Sequence, residues 1–164
     1  MPTVTTERRR PIVYISGPYR SKIGESGVWE NIMSARQTAQ YLLRNGYAPI
    51  CPHLNTMLMG GSIVPGDVDA EVDAFLEADA EFIRAADAVW LLRGWPLSAG
   101  SLFEIEVARR HGKPLFSSLA SLDEWFLCWR SKNGVHDVLA AVGDNSAGGN
   151  PPAKARSTQP FPTF

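Results

Sequence analysis

The sequence predicts a three-layer α/β fold, in which helices cover both faces of a parallel β-sheet. Short apolar runs alternate along the chain with longer segments whose apolar residues recur at helical spacing. The runs are continuous rather than alternating and are rich in β-branched residues, which is typical of strands buried on both faces. Glycines and prolines separate the two kinds of segment. This alternation favours parallel strands that are joined by right-handed helical crossovers.

The first strand is predicted at residues 12–15, which lead into the turn-rich segment Ser16-Gly17-Pro18-Tyr19-Arg20. Apolar residues at helical spacing predict a helix over residues 29–45. The second strand is predicted at residues 47–51. Pro49 places that strand at an edge of the sheet, because proline removes a donor from the hydrogen-bond ladder.

A loop and a strongly patterned helix follow. The loop, residues 52–66, is rich in Gly, Pro, Asn and Met and is long enough to act as a functional lid. The helix is predicted over residues 67–84. Its apolar stripe comprises Val68, Val72, Phe75, Leu76, Phe82 and Ile83, and the acidic residues that face away are Asp69, Asp73, Glu77 and Glu81. Asp79 falls inside the stripe, so its carboxyl must be hydrogen-bonded, protonated or at the wall of a wet pocket.

The third and fourth strands are predicted at residues 88–92 and 113–116. Between them, the segment GWPLSAGSLFEIEVARRHGKP begins as a short Ser/Gly loop and becomes a helix that carries Glu104. A helix over residues 121–130 turns an apolar face toward the sheet or a partner subunit. That face comprises Leu122, Trp125, Phe126 and Trp129, and a final short helix is indicated by Val135, Val138, Leu139 and Val142.

An edge position for the second strand implies the strand order 2-1-3-4, with room for a fifth strand, as in flavodoxin-like and Rossmann-like sheets. The carboxyl ends of strands one and three then lie side by side at a topological switch point. The loops of residues 16–20 and 93–100 are therefore expected to face each other across one cleft, where such sheets bind their ligands.

Composition bounds the remaining possibilities. The chain has 164 residues and a formal net charge of -1, which gives no electrostatic reason to expect nucleic acid as a partner. No apolar run is long enough to span a membrane, and Cys51 and Cys128 form no metal-like pattern, so we expect a cytoplasmic protein with free thiols. Residues 1–10 are predicted to be a flexible arm, residues 11–142 an α/β domain, and residues 143–164 a disordered tail.

Glu104 has two interpretations. Ser101 and Glu104 fit a capping box, in which the glutamate bonds back to the amide at the start of its own helix, and Ser121 and Glu124 fit the same pattern. Alternatively, Glu104 points into the cleft as a catalytic carboxylate and leaves Ser101 to satisfy the helix amides. From the pattern alone, both remain open.

The other candidates also have structural interpretations. A buried Asp79 can tie down neighbouring amides, and Ser16 and Ser98 can be turn residues. Arg20 can be a solvated loop cation, and His53 a surface histidine. Trp95 can pack locally or provide a stacking surface for a base.

Taken together, the segments YISGPYR, NGYAPICPH and GWPLSAGSLFEIEVARRHGKP resemble the nucleoside 2-deoxyribosyltransferase-like superfamily. This group includes deoxyribosyltransferases and nucleotide N-glycoside hydrolases, and the resemblance covers residues 12–115. It implies that Glu104 is the nucleophile and that Asp79 assists at the base. It also implies that Ser98 and Arg20 contact a 5′-phosphate, with Ser16, Gly17, Pro18, Tyr19, His53, Trp95, Gly100 and Ser101 as further substrate contacts.

The resemblance implies cleavage, with transfer to a second base as a further outcome, of the N-glycosidic bond of a (deoxy)nucleoside 5′-monophosphate. Transferases of the group usually carry an acid where this chain has Leu97 or Ser98, which argues against transfer between free nucleosides. We expect no metal or organic cofactor, a small-molecule nucleotide as the partner, and a homodimer or higher homo-oligomer. Two alternatives stay open, a non-catalytic nucleotide sensor and an NAD-cleaving glycohydrolase.

Overall fold

A computed structural model describes residues 9–60 and 63–133 of the chain. Four parallel strands form one sheet in the order β2-β1-β3-β4, as the sequence predicts. The strands are β1 (Ile12–Ser16), β2 (Ala48–Ile50), β3 (Ala88–Leu91) and β4 (Leu115–Phe116). The helices are α1 (Glu25–Arg44), α2 (Pro52–Asn55), α3 (Val68–Ala85), α4 (Ala99–Arg110) and α5 (Leu119–Lys132).

Helices cover both faces of the sheet, which confirms the three-layer architecture. On one face, α1 and α5 pack against alternate strand residues in a cluster that includes Val13, Ile15, Leu42, Leu122 and Phe126. On the other face, α3 and α4 pack in a cluster that includes Tyr14, Ile83, Val89, Ile105 and Ala108. Because side chains alternate along a strand, β1 contributes to both cores.

The helix α5 packs against its own sheet. Leu122, Phe126 and Trp129 are buried, and Trp125 is partly buried with its ring 5.6 Å from that of Phe116. The inward face predicted for this helix is therefore confirmed, and the sheet of the same chain covers it.

Two predictions for the middle of the chain are wrong in part. Residues 52–66 are not simply a loop, because Pro52–Asn55 form α2. Proline at the first helical position favours this start, since its backbone torsion is already helical. The stripe of α3 is also less buried than predicted. Val68 at its start is 66% exposed and Phe82 near its end is 36% exposed, whereas Asp79, Ala80 and Ile83 are buried.

The remaining predictions fall on the ends of the chain. The final helix around Val135–Val142, the tail at residues 143–164 and most of the N-terminal arm lie outside the described residues. Within the described part, no helix is both long enough and apolar enough to cross a membrane.

Candidate active site

The start of α4 decides between the two interpretations of Glu104. The cap of this helix is Ser98, whose hydroxyl oxygen accepts a hydrogen bond from the Ser101 amide at 3.2 Å. The helix therefore begins three residues earlier than a capping box at Ser101 requires, and Glu104 lies in the second turn. The capping-box interpretation of Glu104 is wrong. The one at Ser121 is also wrong, because α5 begins after Ser118.

Instead, both oxygens of Glu104 accept hydrogen bonds from hydroxyls on β1. The Tyr14 hydroxyl donates to Oε1 at 2.8 Å, and the Ser16 hydroxyl donates to Oε2 at 2.5 Å. Strand periodicity explains the pair, because residues two apart on a strand point to the same face of the sheet. All three side chains are buried, and Glu104 is only 7% exposed. The carboxyl is thus held through both of its oxygens over the carboxyl end of β1.

Asp79 approaches the same group from α3. Its side chain is 8% exposed, and its Oδ1 atom is buried with no hydrogen-bond partner among the described residues. The Tyr14 hydroxyl also faces Asp79 and tends to lower the pKa of that carboxyl. Two buried carboxyls therefore flank one tyrosine hydroxyl, each from a different helix.

Burial sets the protonation of the two carboxyls. Desolvation raises the pKa of Glu104 to about 7, an effect that the Ser16 and Tyr14 hydroxyls oppose and the neighbouring Asp79 reinforces. Desolvation also raises the pKa of Asp79 to about 6. Because the two groups interact, they titrate as a pair that retains one proton near neutral pH. Such a pair can provide a nucleophile and an acid in the same site.

The loops after β1 and β3 meet beside the carboxyl pair, as the topology predicts. A Cβ atom on Gly17 would lie 2.6 Å from the side chain of Leu92, so only glycine fits where these segments cross. The two loops also come close at Gly94, which has a φ of +85°, because a Cβ atom there would lie 3.5 Å from the Pro18 side chain. Trp95 begins a 3₁₀ turn (Trp95–Leu97) and packs against the core that contains Tyr14, which agrees with local packing.

His53 is not a surface histidine. It is 5% exposed, and its Nε2 atom hydrogen-bonds the Pro18 carbonyl at 3.0 Å. Desolvation lowers its pKa, so the ring is neutral at pH 7, and its Nδ1 atom is buried without a partner in the described structure. Its ring lies 5.8 Å from that of Tyr19, which is 40% exposed. His53 therefore links α2 to the loop that follows β1.

The first turn of α4 contains the remaining candidates. Ser98 accepts from the Ser101 amide, which leaves its hydroxyl proton available to a ligand. Gly100 lies against Leu76 of α3, and the Ser101 hydroxyl is buried without a partner among the described residues. The amides of a first helical turn lack intrahelical acceptors and attract anions. Arg20 is exposed on the loop after β1, where Asn31 holds its backbone carbonyl at 3.4 Å.

Tyr14 is the one member of the site that the sequence analysis missed. In the sequence it looks like part of a buried strand, and the strand does bury it completely. The sequence does contain a signal, because Tyr14 and Ser16 are two residues apart in an apolar run and both carry a hydroxyl group.

The described residues contain no group of three histidine, cysteine or acidic side chains that could hold a metal ion.

Comparison with protein-family models places most of the chain in a known family. The model of a family described as a domain of unknown function, DUF7768, matches residues 11–117. This segment contains all four strands and every residue of the site described above. Among curated proteins, none matches the chain.

Proposed function

The chain belongs to the DUF7768 family, and we propose that it is an enzyme that cleaves the N-glycosidic bond of a nucleoside or deoxynucleoside 5′-monophosphate. One observation carries the proposal. Glu104 is buried, and its two carboxyl oxygens accept hydrogen bonds from Tyr14 and Ser16, while Ser98 caps the helix that carries it. A carboxyl freed from capping and held at a sheet switch point has the placement of a nucleophile.

In the proposed reaction, Glu104 attacks C1′ of the sugar from the face opposite the base. The C1′–N bond breaks through an oxocarbenium-like transition state, and the departing base takes a proton from Asp79. Water then attacks C1′ of the glycosyl-enzyme and gives a proton to Asp79, while the bond between C1′ and Glu104 breaks and Glu104 returns to its carboxylate form. A second base in place of water would make the reaction a transfer.

The reactive protonation state has the proton on Asp79 and the charge on Glu104. Burial raises the pKa of both carboxyls, so one proton can be shared between them. The hydroxyls of Tyr14 and Ser16 favour the reactive state, because both donate to the charged carboxylate.

The 5′-phosphate binds at the start of α4 in this proposal. The amides of Ala99 and Gly100, the hydroxyl proton of Ser98 and the side chain of Arg20 would surround it. We also place the protein in the cytoplasm, where Cys51 and Cys128, both free thiols, would stay reduced.

The test is a product assay by mass spectrometry. The protein is incubated with ribonucleoside and deoxyribonucleoside 5′-monophosphates, the matching nucleosides, and NAD. We expect free base from one or more monophosphates and none with Glu104→Gln. The matched control is Glu106→Gln on the same helix, because Glu106 is exposed and forms an ion pair with Arg110.

Each other outcome has a defined meaning. Nucleotide binding without release of base from any substrate would overturn the proposal in favour of a sensor. Release from NAD alone would identify a glycohydrolase of that dinucleotide. Equal rates with nucleosides would remove the phosphate from the proposal but leave the glutamate nucleophile.

A further inference from the structure

The two hydroxyls that hold Glu104 are not equivalent. Tyr14 carries one proton and faces two carboxyls, since it donates to Oε1 of Glu104 and also interacts with Asp79. Ser16 donates only to Oε2 of Glu104 in the described structure, and it is fully buried. Its backbone is also fixed, because the Ser16 carbonyl accepts the Leu92 amide at 2.8 Å and the next residue, Gly17, packs tightly on Leu92.

This difference matters once a base departs. When Asp79 gives up its proton it becomes an anion, and it then competes for the single proton of Tyr14. At the same moment Glu104 loses its charge as one oxygen bonds to carbon. Tyr14 can therefore turn from Glu104 to Asp79, whereas Ser16 contacts no second carboxyl among the described residues. The oxygen that loses its donor is Oε1.

We propose, on the basis of the function proposed above, that Ser16 is a positioning residue that selects the attacking oxygen of Glu104. The Ser16 hydroxyl stays hydrogen-bonded to Oε2 of Glu104 throughout the reaction, and Oε1 forms the bond to C1′. Oε2 then becomes the carbonyl oxygen of the glycosyl ester and still accepts the Ser16 hydrogen bond.

The consequence appears in the second half of the reaction. Water forms a bond to C1′ and gives its proton to the Asp79 carboxylate, while the C1′–Oε1 bond breaks and its electron pair returns to Glu104. Charge thus grows on the Glu104 carboxylate in this step and falls in the first. A donor to Oε2 stabilises the charged form, so Ser16 favours release of the sugar over formation of the ester.

The first experiment titrates Glu104 directly. Carbon-13 NMR follows the side-chain carboxyls across pH, and the Glu104 signal is assigned by its loss in Glu104→Gln. Three groups face this carboxyl, Tyr14 and Ser16 from β1 and Asp79 from α3. In Ser16→Ala, we expect the pKa of Glu104 to rise by about one unit, because a hydrogen bond to its charged form is lost.

The matched control is Ser101→Ala, which removes an equally buried hydroxyl one turn before Glu104 that has no partner in the described structure. We expect no change in the Glu104 pKa there. Ser16→Cys keeps a weaker donor and should give an intermediate shift, and it also serves if Ser16→Ala does not fold. An unchanged pKa in the Ser16 variants, or an equal shift in Ser101→Ala, would overturn the proposal.

The second experiment separates this proposal from the function on which it rests. With a substrate that the wild type cleaves, Ser16→Ala should accumulate about tenfold more glycosyl-enzyme, detected as added mass on the peptide that contains Glu104. If the wild type releases no base from any substrate, the proposed function is wrong, and the titration still reports on the Ser16 contact. If the wild type turns over but Ser16→Ala accumulates no ester, only the role of Ser16 is wrong.

Discussion

At Glu104, burial and hydrogen bonding act on one carboxyl in opposite directions. Burial raises its pKa to about 7, while the donors Tyr14 and Ser16 favour the charged form. Asp79 has less support from donors, and its Oδ1 atom has no partner in the described structure. A site that needs one charged and one protonated carboxyl can be built from this asymmetry.

The carboxyl pair predicts the pH dependence of turnover. Activity needs one proton on the pair, so the rate should fall below about pH 6, where both carboxyls are protonated, and above about pH 7, where both are charged. We expect a narrow, bell-shaped dependence of kcat/KM on pH, with its maximum between these two values. A rate that keeps rising to pH 9 would contradict a role for a protonated acid.

The role of Asp79 can be tested through the leaving group. Asp79→Asn should slow release of guanine from its monophosphate by a factor of about 100 to 10,000, the usual contribution of a general acid. The loss should be far smaller with the 7-methylguanine nucleotide, because its positively charged base departs without a proton. The matched control is Asp73→Asn, since Asp73 is exposed on the same helix. Equal losses on both substrates would indicate that Asp79 acts in binding.

At the scale of the elements, β1 supplies both the core and the site. Val13 and Ile15 point toward α1 and α5, whereas Tyr14 and Ser16 point toward α3 and α4. The strand ends at Ser16, and the next residue, Gly17, packs closely on Leu92, the residue that follows β3. The packing of these two strand ends positions Ser16 beneath Glu104.

This close packing predicts a specific stability effect. Gly17→Ala would place a Cβ atom 2.6 Å from the Leu92 side chain, so we expect a loss of about 1–3 kcal/mol, as for other overpacked sites. Gly100→Ala is the control, because its nearest contact would be 3.8 Å from Leu76. Urea unfolding measures both, and equal stability of the two variants would refute the close packing.

For the whole molecule, the strand order β2-β1-β3-β4 is the decisive feature. It places the ends of β1 and β3 together in the centre of the sheet, and α3 and α4 then bring Asp79 and Glu104 to that point from one face. The same arrangement removes two carboxyls from water, which makes the stability of the fold depend on pH.

The sign of that dependence follows from the raised pKa of Glu104. Its folded value, about 7, exceeds its ordinary value of 4.5, so its contribution to stability is fully present at low pH and is lost as the pH rises through 7. Glu104→Gln should therefore gain stability relative to the wild type between pH 5 and pH 8, by as much as on the order of 3 kcal/mol. Urea unfolding at the two pH values measures the free energy of unfolding of both proteins. Glu106→Gln is the control, and its difference in stability from the wild type should be the same at both pH values. A difference for Glu104→Gln that does not change with pH would contradict the burial of its charge.

Much of this architecture could be predicted from the sequence. Continuous β-branched runs identified the strands, and Pro49 at an edge fixed the strand order. The interruption of an apolar stripe identified Asp79 as a buried carboxyl, which the structure confirms. These features are determined locally, because hydrophobic periodicity and proline geometry depend on near neighbours in the chain.

The position of Glu104 could not be decided in that way. Helix starts at Ser98 and at Ser101 are both compatible with the local residues, and only the second would use Glu104 as a cap. The tertiary structure selects the first, because packing of α4 on β1 gives Glu104 two donors that lie 90 and 88 residues away, Tyr14 and Ser16. The sequence by itself determined the sheet and its buried acid, whereas contacts between distant segments decided what the glutamate is free to do.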